Sequence, residues 1–319
     1  MASTSWSCSV VRMPEPRARM LQAVGMALSA AGLIAILWNI ARNDIPQGLV
    51  PKSASDWREL VSMTALMSGA SVLVALAWLS LLRPLVPAMN APIWILGVYM
   101  VTQLSKFLPG NIFQYVSRQA MLSRAHISLL SFVESAVAEA VCLAGVAGLI
   151  VLMVGATVGF EWRPPIWVLA VGGLTVIALL AVAFAARKLL GSALQRLPLA
   201  RREALPFVIV AVAADAIFFA GMAKVVGNLA AHVAPTNPPV HFATLIGATA
   251  LAWVVGFIVP GAPAGLGVRE GALLVLLSSQ LGAATGAIVA SFRLITTFAD
   301  VVQAAIGAMI VFYFGPPKD

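Results

Sequence analysis

The sequence has little charge, little cysteine and little histidine. Only 10% of its 319 residues are charged, against about 25% in an average soluble domain. The two cysteines, Cys8 and Cys142, are too few for a disulfide framework and have no metal-binding spacing. Cys142 lies inside an apolar run, where free cysteine behaves as a small packed hydrophobe. The three histidines, His126, His232 and His241, are scattered near the ends of apolar runs. There is no HExxH, no P-loop and no Cys/His cluster. Gly265-x-Gly267 is not a dinucleotide fingerprint, because no strand–helix–strand unit surrounds it. The sequence therefore offers no recognisable catalytic site, metal site or cofactor site. It reads as a protein that is not an enzyme and uses no cofactor.

What is present is apolar sequence. Hydrophobic residues make up 61% of the chain, where a soluble domain averages about 45–50%. Mean hydropathy is +0.97. A chain this apolar cannot hide its surface from water, so lipid is the expected solvent. Only helices and closed barrels satisfy every backbone group in a bilayer. Barrel strands alternate polar and apolar residues, whereas runs such as Ala140–Val158 and Ile166–Ala186 are nearly continuously apolar. Helices are the expectation. The net charge of +8 comes from short basic clusters beside apolar runs, such as Arg187-Lys188 and Arg196 to Arg201-Arg202. That is the pattern of the positive-inside rule rather than of a nucleic-acid surface, so no nucleic-acid partner is expected.

Expected spans are 20–41, 60–82, 127–158, 166–187, 204–230 and 284–314, with two further apolar stretches, 92–117 and 242–283, interrupted by Pro-Gly. Hydropathy alone counts about eight spans. Arg12, Arg17 and Arg19 precede the first run, which is too long for a cleaved signal and puts the N-terminus in the cytoplasm. If 92–117 enters and leaves on the inner side, the strongly basic loops all fall inside; if it crosses fully, Arg187–Arg202 lands outside. Charge therefore favours about six spanning helices plus two re-entrant helical hairpins, in an all-α polytopic protein of the plasma (inner) membrane. The loop 42–59, with Arg42, Lys52 and Arg58 against Asp44, Asp56 and Glu59, supports this topology least.

The interrupted stretches resemble each other. Phe107-Leu108-Pro109-Gly110 is followed after seven residues by Arg118, with Leu122 four later. Ile258-Val259-Pro260-Gly261 is followed after seven residues by Arg269, with Leu273 four later. The offset is 151 residues, from Pro109 to Pro260 and from Arg118 to Arg269. The same offset carries 20–41 onto 171–192, 60–82 onto 211–233 and 127–158 onto 278–309, each near an expected span. The chain then divides into a tail (1–19), a first membrane repeat (20–158), a second repeat (159–314) and a short C-terminal tail (315–319). Three crossings per half is odd, so the second repeat is inverted. Inverted repeats with broken helices characterise many secondary transporters, with the substrate between the repeats.

The candidate site residues lie at and around these breaks. Pro109-Gly110 and Pro260-Gly261 interrupt helices, because Pro lacks a donor and clashes with the preceding turn. They read either as kinks or as re-entrant tips whose helix N-termini face an anion. Lys106, Arg118, Arg269 and Arg293 are cations beside or within apolar sequence. They read as a lining for a phosphate headgroup. The alternatives are snorkelling for Lys106 and Arg118, and ion pairs with Glu270 or Asp300 for Arg269 and Arg293. Glu134 and Glu139 lie five apart in one span and do not share a face closely, while Asp215 and Lys224 lie in another. These acids read as neutralising partners, as a proton carrier or as a contact for a cationic headgroup.

At these residues the sequence resembles a known family. Lys106-Phe107-Leu108-Pro109-Gly110 leading to Arg118 is similar to the lysine–aromatic–Leu–Pro–Gly…Arg signature of the lysylphosphatidylglycerol synthase transmembrane region family. Pro263-Ala264-Gly265-Leu266-Gly267-Val268-Arg269-Glu270 is similar to its Pro-Gly-Gly-x-Gly-x-x-Glu segment, with Ala264 where Gly is usual. Glu134, Glu139 and Arg293 fall where that family tends to place acids and a late Arg. The resemblance covers roughly residues 20–314. It implies a flippase-like region of the stand-alone kind, without a lipid-synthesising domain.

Three functions follow as expectations. The first is a lipid flippase or transporter moving an anionic, aminoacylated or isoprenoid-type lipid across the bacterial plasma membrane. The second is a non-transporting accessory subunit of a lipid or glycan pathway, including hopanoid-associated ones. The third is a membrane enzyme acting on lipids, which the lack of an acid/base or metal constellation disfavours. Expected partners are a membrane lipid, a second copy of the chain or a lipid-synthesis enzyme.

Overall fold

The computed structural model describes Trp38 and residues 53–108, 112–157, 202–259 and 262–316. The expected spans 20–41 (apart from Trp38) and 166–187 lie outside the described residues, as do Pro109, Gly110, Pro260 and Gly261.

Every described element is helical. In chain order they are α1 (Ala54–Leu82), α2 (Pro92–Thr102), α3 (Phe113–Leu122), α4 (Leu129–Thr157), α5 (Leu205–Val233), α6 (Phe242–Ile258), α7 (Val268–Leu281) and α8 (Thr285–Phe314). Among the described residues, four helical runs are long and apolar enough to cross a membrane: Ala54–Leu85, Leu129–Ala156, Leu205–Val233 and Pro263–Phe314. A helix of 29 residues, such as α1, α4 or α5, is about 43 Å long. That exceeds a hydrocarbon core of about 30 Å.

The helix boundaries follow from local chemistry. α1 starts at Ala54, earlier than the expected 60, because Ser53 and Asp56 form a capping box. The Ser53 hydroxyl accepts from the Asp56 amide at 3.2 Å, and the Asp56 carboxylate accepts from the Ser53 amide at 3.0 Å. Hydropathy missed this turn because Asp56, Arg58 and Glu59 fill it. α2 opens with Pro92 in its first position, where a missing N–H costs nothing. The stretch 92–117 then breaks: α2 passes into a 3-10 turn at Gln103–Phe107, and α3 runs on to Leu122. The second stretch breaks likewise into α6, a 3-10 turn at Pro263–Gly265, and α7.

The long helices bury one side and leave the other apolar. Trp78, Trp94, Tyr99 and Phe219 are enclosed in the core, while Leu294, Phe298, Val302 and Met309 of α8 lie exposed. The same outward apolar face runs along α4 at Leu149, Leu152 and Met153 and along α5 at Ile209 and Ile217. In water such a surface would be a large unpaired patch; in lipid it is ordinary.

α1 and α5 lie against each other, joined where the Ser80 hydroxyl donates to the Phe207 carbonyl at 3.0 Å. α2 packs on α8, and α6 on α4. Small residues bring both of these pairs close. A Cβ on Gly307 would lie 2.7 Å from the Val101 amide nitrogen, and one on Gly97 would lie 2.7 Å from Ile310 Cγ2. A Cβ on Gly247 would lie 2.9 Å from Val154 Cγ1. Close approach through glycine is how helices pack where no hydrophobic force separates protein from solvent. The two 3-10 turns touch each other, so both breaks meet at one place.

Candidate functional site

At that meeting place lies a cavity of about 340 Å³. Its charged lining is Lys106, Arg118, Arg269 and Arg293 against Glu139, Glu270 and Asp300. Four cations face three acids, a formal excess of one positive charge.

Arg118 enters from α3 and is one of only two buried residues on that helix, the other being Leu122. It is 1% exposed. Its guanidinium carbon lies 3.8 Å from the Tyr99 ring centroid, 5.0 Å from Trp78 and 5.7 Å from Tyr115. Its Nη1 donates to Glu139 Oε2 at 3.3 Å. The Tyr99 hydroxyl donates to the other oxygen of Glu139. Snorkelling is thus excluded for Arg118: a planar cation inside three aromatic faces, with an acid at its edge, has no reason to reach the headgroups. The Trp78 indole in turn donates to Ser135 at 3.2 Å, which fixes the ring under the arginine.

Lys106 stands on the first 3-10 turn, and its ammonium donates to Asp300 of α8 at 2.7 Å. The pair is only partly enclosed, with side chains 25% and 12% exposed. Arg293 of α8 pairs with Glu270 of α7 at 3.2 Å. Glu270 also accepts the Gly267 amide at 2.6 Å, closing the N-terminus of α7. Gly267 has φ 79, a left-handed angle that suits glycine. Its amide, rather than a side chain, is what Gly267 contributes. Phe107 lies between two of the cations, 5.6 Å from the Lys106 ammonium and 5.8 Å from the Arg293 guanidinium carbon.

Arg269 differs from the other three. Among the described residues it has no carboxylate within ion-pair distance, and its Nε has no hydrogen-bond partner. Its guanidinium carbon lies 5.3 Å from the Trp253 ring. Its side chain runs between Gly256 of α6 and Gly265 of the second 3-10 turn. A Cβ on Gly265, whose φ is +68, would lie 2.7 Å from Arg269 Nε. A Cβ on Gly256 would collide with Arg269 Cγ.

The chain matches no family model and no curated protein. The geometry is therefore read on its own chemistry.

Of the residues expected from sequence, Lys106, Arg118, Glu139, Gly265, Arg269, Glu270 and Arg293 all line the one cavity. Glu134 does not: it is half-buried on α4, and five residues along a helix turn it away from Glu139. Sequence reading offered Asp300 only as a neutralising partner and Phe107 only as part of the Pro-Gly motif, and it passed over Tyr99, Tyr115 and Trp253. One signal was available. Tyrosine occurs three times in the chain, and two of the three stand at this cavity.

Proposed function

We propose that this protein is a lipid flippase or lipid transporter of the bacterial plasma membrane, moving an anionic lipid through the cavity between its broken helices. The observation that carries the reading is Arg269, a half-buried cation that lines the cavity and has no carboxylate partner among the described residues. Charges at membrane depth are costly and are kept where they meet a partner or a pathway. Three of the four cations here have acids to neutralise them. The fourth is left for an anion, and Arg is suited to phosphate oxygens. An isoprenoid-type phosphate or an aminoacylated phospholipid each brings such an oxygen.

The transporter architecture is part of the reading: six spanning helices and two re-entrant hairpins, in two inverted halves, with the N-terminus cytoplasmic. Several observations support it. The 151-residue offset carries Ala54–Leu82 onto Leu205–Val233 residue for residue. Contacts pair up across the halves: α2 with α8 answers α6 with α4, and α2 with α3 answers α6 with α7. α1 and α5 meet each other, as elements beside a twofold axis would. In each half a glycine of the short helix receives a β-branched residue of the other half's long helix: Gly97 with Ile310, and Gly247 with Val154. α2 and α3, of 11 and 10 residues, are each about 15–17 Å long, too short to cross alone. The resemblance to the lysylphosphatidylglycerol synthase transmembrane region family agrees with this architecture.

Purified protein reconstituted into vesicles tests the proposal with a panel of labelled anionic phospholipids, aminoacylated phospholipids and isoprenoid phosphates. Accelerated transbilayer movement of at least one, compared with protein-free vesicles, is the expected result. No acceleration of any of them would overturn it.

A further inference from the structure

Asp215 belongs to none of the cavity's ion pairs. It lies within α5, is 1% exposed, and its Oδ1 has no hydrogen-bond partner among the described residues. A carboxylate in such a place keeps its charge only if a cation or several donors reach it. The helices packed on α5 are α1, α4, α6 and α8. α1 carries its titratable groups, Asp56, Arg58 and Glu59, in its first turns, with Arg83 just beyond its end. α6 carries none. α8 carries Arg293 and Asp300, engaged by Glu270 and Lys106, and Tyr313 near its end. α4 brings Glu134, Glu139 and Cys142; of these, Glu139 acts on Asp215 electrostatically, while Asp215 in turn bears on the Cys142 thiol. Glu139 is an acid already matched by Arg118. On α5 itself, Lys224 is nine residues further along, His232 pairs with Glu59 at 2.6 Å, and Arg202 and Glu203 precede the helix. No cation is paired with Asp215 among the described residues, and Glu139 opposes a second negative charge there.

We propose that Asp215 is a proton-binding site: a carboxylic acid that holds its proton in this arrangement and releases it to water when α5 shifts against α4. The step is a plain proton transfer, in which the carboxyl O–H bond breaks and the proton leaves on a water molecule. Resting on the transport reading, this proton is the ion whose gradient drives the lipid.

Infrared spectroscopy of the reconstituted protein, with the side-chain carboxyl of aspartate isotopically labelled, tests the site itself. A protonated-carboxyl C=O band at neutral pH that moves with the aspartate label, and is lost in Asp215→Asn, is the expected result. In Asp215→Glu the band should follow labelled glutamate instead. Absence of a label-sensitive protonated band in the unsubstituted protein would overturn the proposal without recourse to any variant, as would its persistence in Asp215→Asn. The coupling is tested by lipid flux with and without an imposed proton gradient. The ratio of the two should exceed one in the unsubstituted protein and fall to one in Asp215→Asn; a ratio of one in the former, or an unchanged ratio in the latter, contradicts the coupling. If no lipid moves under any condition, the transport reading fails, and the infrared result still decides the proton site.

Discussion

The side chain of Arg269 lies against the bare Cα of Gly256, so close that a methyl group there would collide with the arginine's Cγ. The glycine is thus a groove cut in α6 for a side chain from α7. Gly256→Ala favours the helix intrinsically, by up to about 1 kcal/mol, yet it pushes Arg269 out of its track. The expected outcome is a fold that survives at a cost of about 1–3 kcal/mol from overpacking, with lipid flux falling as far as in Arg269→Gln. Thermal melting in detergent and vesicle flux, measured on the same preparation, check it. Gly265→Ala should lose flux too and also lose stability, by roughly 1–2 kcal/mol, because its φ of +68 is left-handed.

Arg118 and Glu139 form a buried pair, and removing one partner strands the other. Arg118→Ala and Glu139→Ala should each cost about 3–5 kcal/mol, and the double substitution much less than their sum. Arg118→Lys should also destabilise, because an ammonium cannot stack its plane on Tyr99. A double-mutant cycle by chemical denaturation in detergent micelles measures this. Additive costs would mean the pair is not coupled.

Lys106 and Asp300 form the partly exposed pair at the cavity. Asp300→Asn removes one acid and leaves Lys106 for the ligand. Apparent affinity for an anionic lipid should rise by about 1 kcal/mol, roughly fivefold, and should fall in Lys106→Gln. The concentration dependence of flux reads both. Each change also leaves one largely enclosed charge without its partner, so the melting temperature should fall, though less than for the fully buried Arg118–Glu139 pair.

Gly307 of α8 receives the backbone of α2. Gly307→Val overpacks that crossing and should cost about 1–3 kcal/mol, with a lower melting temperature. Gly145→Ala on α4 is the control, because open space surrounds it; it should be neutral or slightly stabilising.

Much of this was legible in the sequence, for identifiable reasons. The long runs of α4, α5 and α8 are continuously apolar, so hydropathy found them to within a few residues. The two breaks were legible because Pro-Gly is a chemical interruption with one backbone consequence. Convergence of Lys106, Arg118, Arg269 and Arg293 was inferable because apolar helices hide cations together. Who pairs with whom was not legible. Lys106 and Asp300 are 194 residues apart, and only the packing of α8 beside α2 joins them. The aromatic cage of Arg118 was hidden for the same reason: Trp78, Tyr99 and Tyr115 come from three different helices. Glu134 was included as an acid within an apolar span and at a position the resemblance marks, and its five-residue offset from Glu139, about 140° round the helix, put it on a different face from the cavity.

Charge discrimination by Arg269 tests the central claim most directly. Flux of a labelled lipid with an anionic headgroup and of a matched lipid with a neutral headgroup is measured in the same vesicles, for the unsubstituted protein and for Arg269→Gln. The account predicts that the unsubstituted protein favours the anionic lipid and that Arg269→Gln, still folded by its melting curve, loses that preference. Equal transport of both lipids by the unsubstituted protein, or a preference that survives in Arg269→Gln, would contradict it.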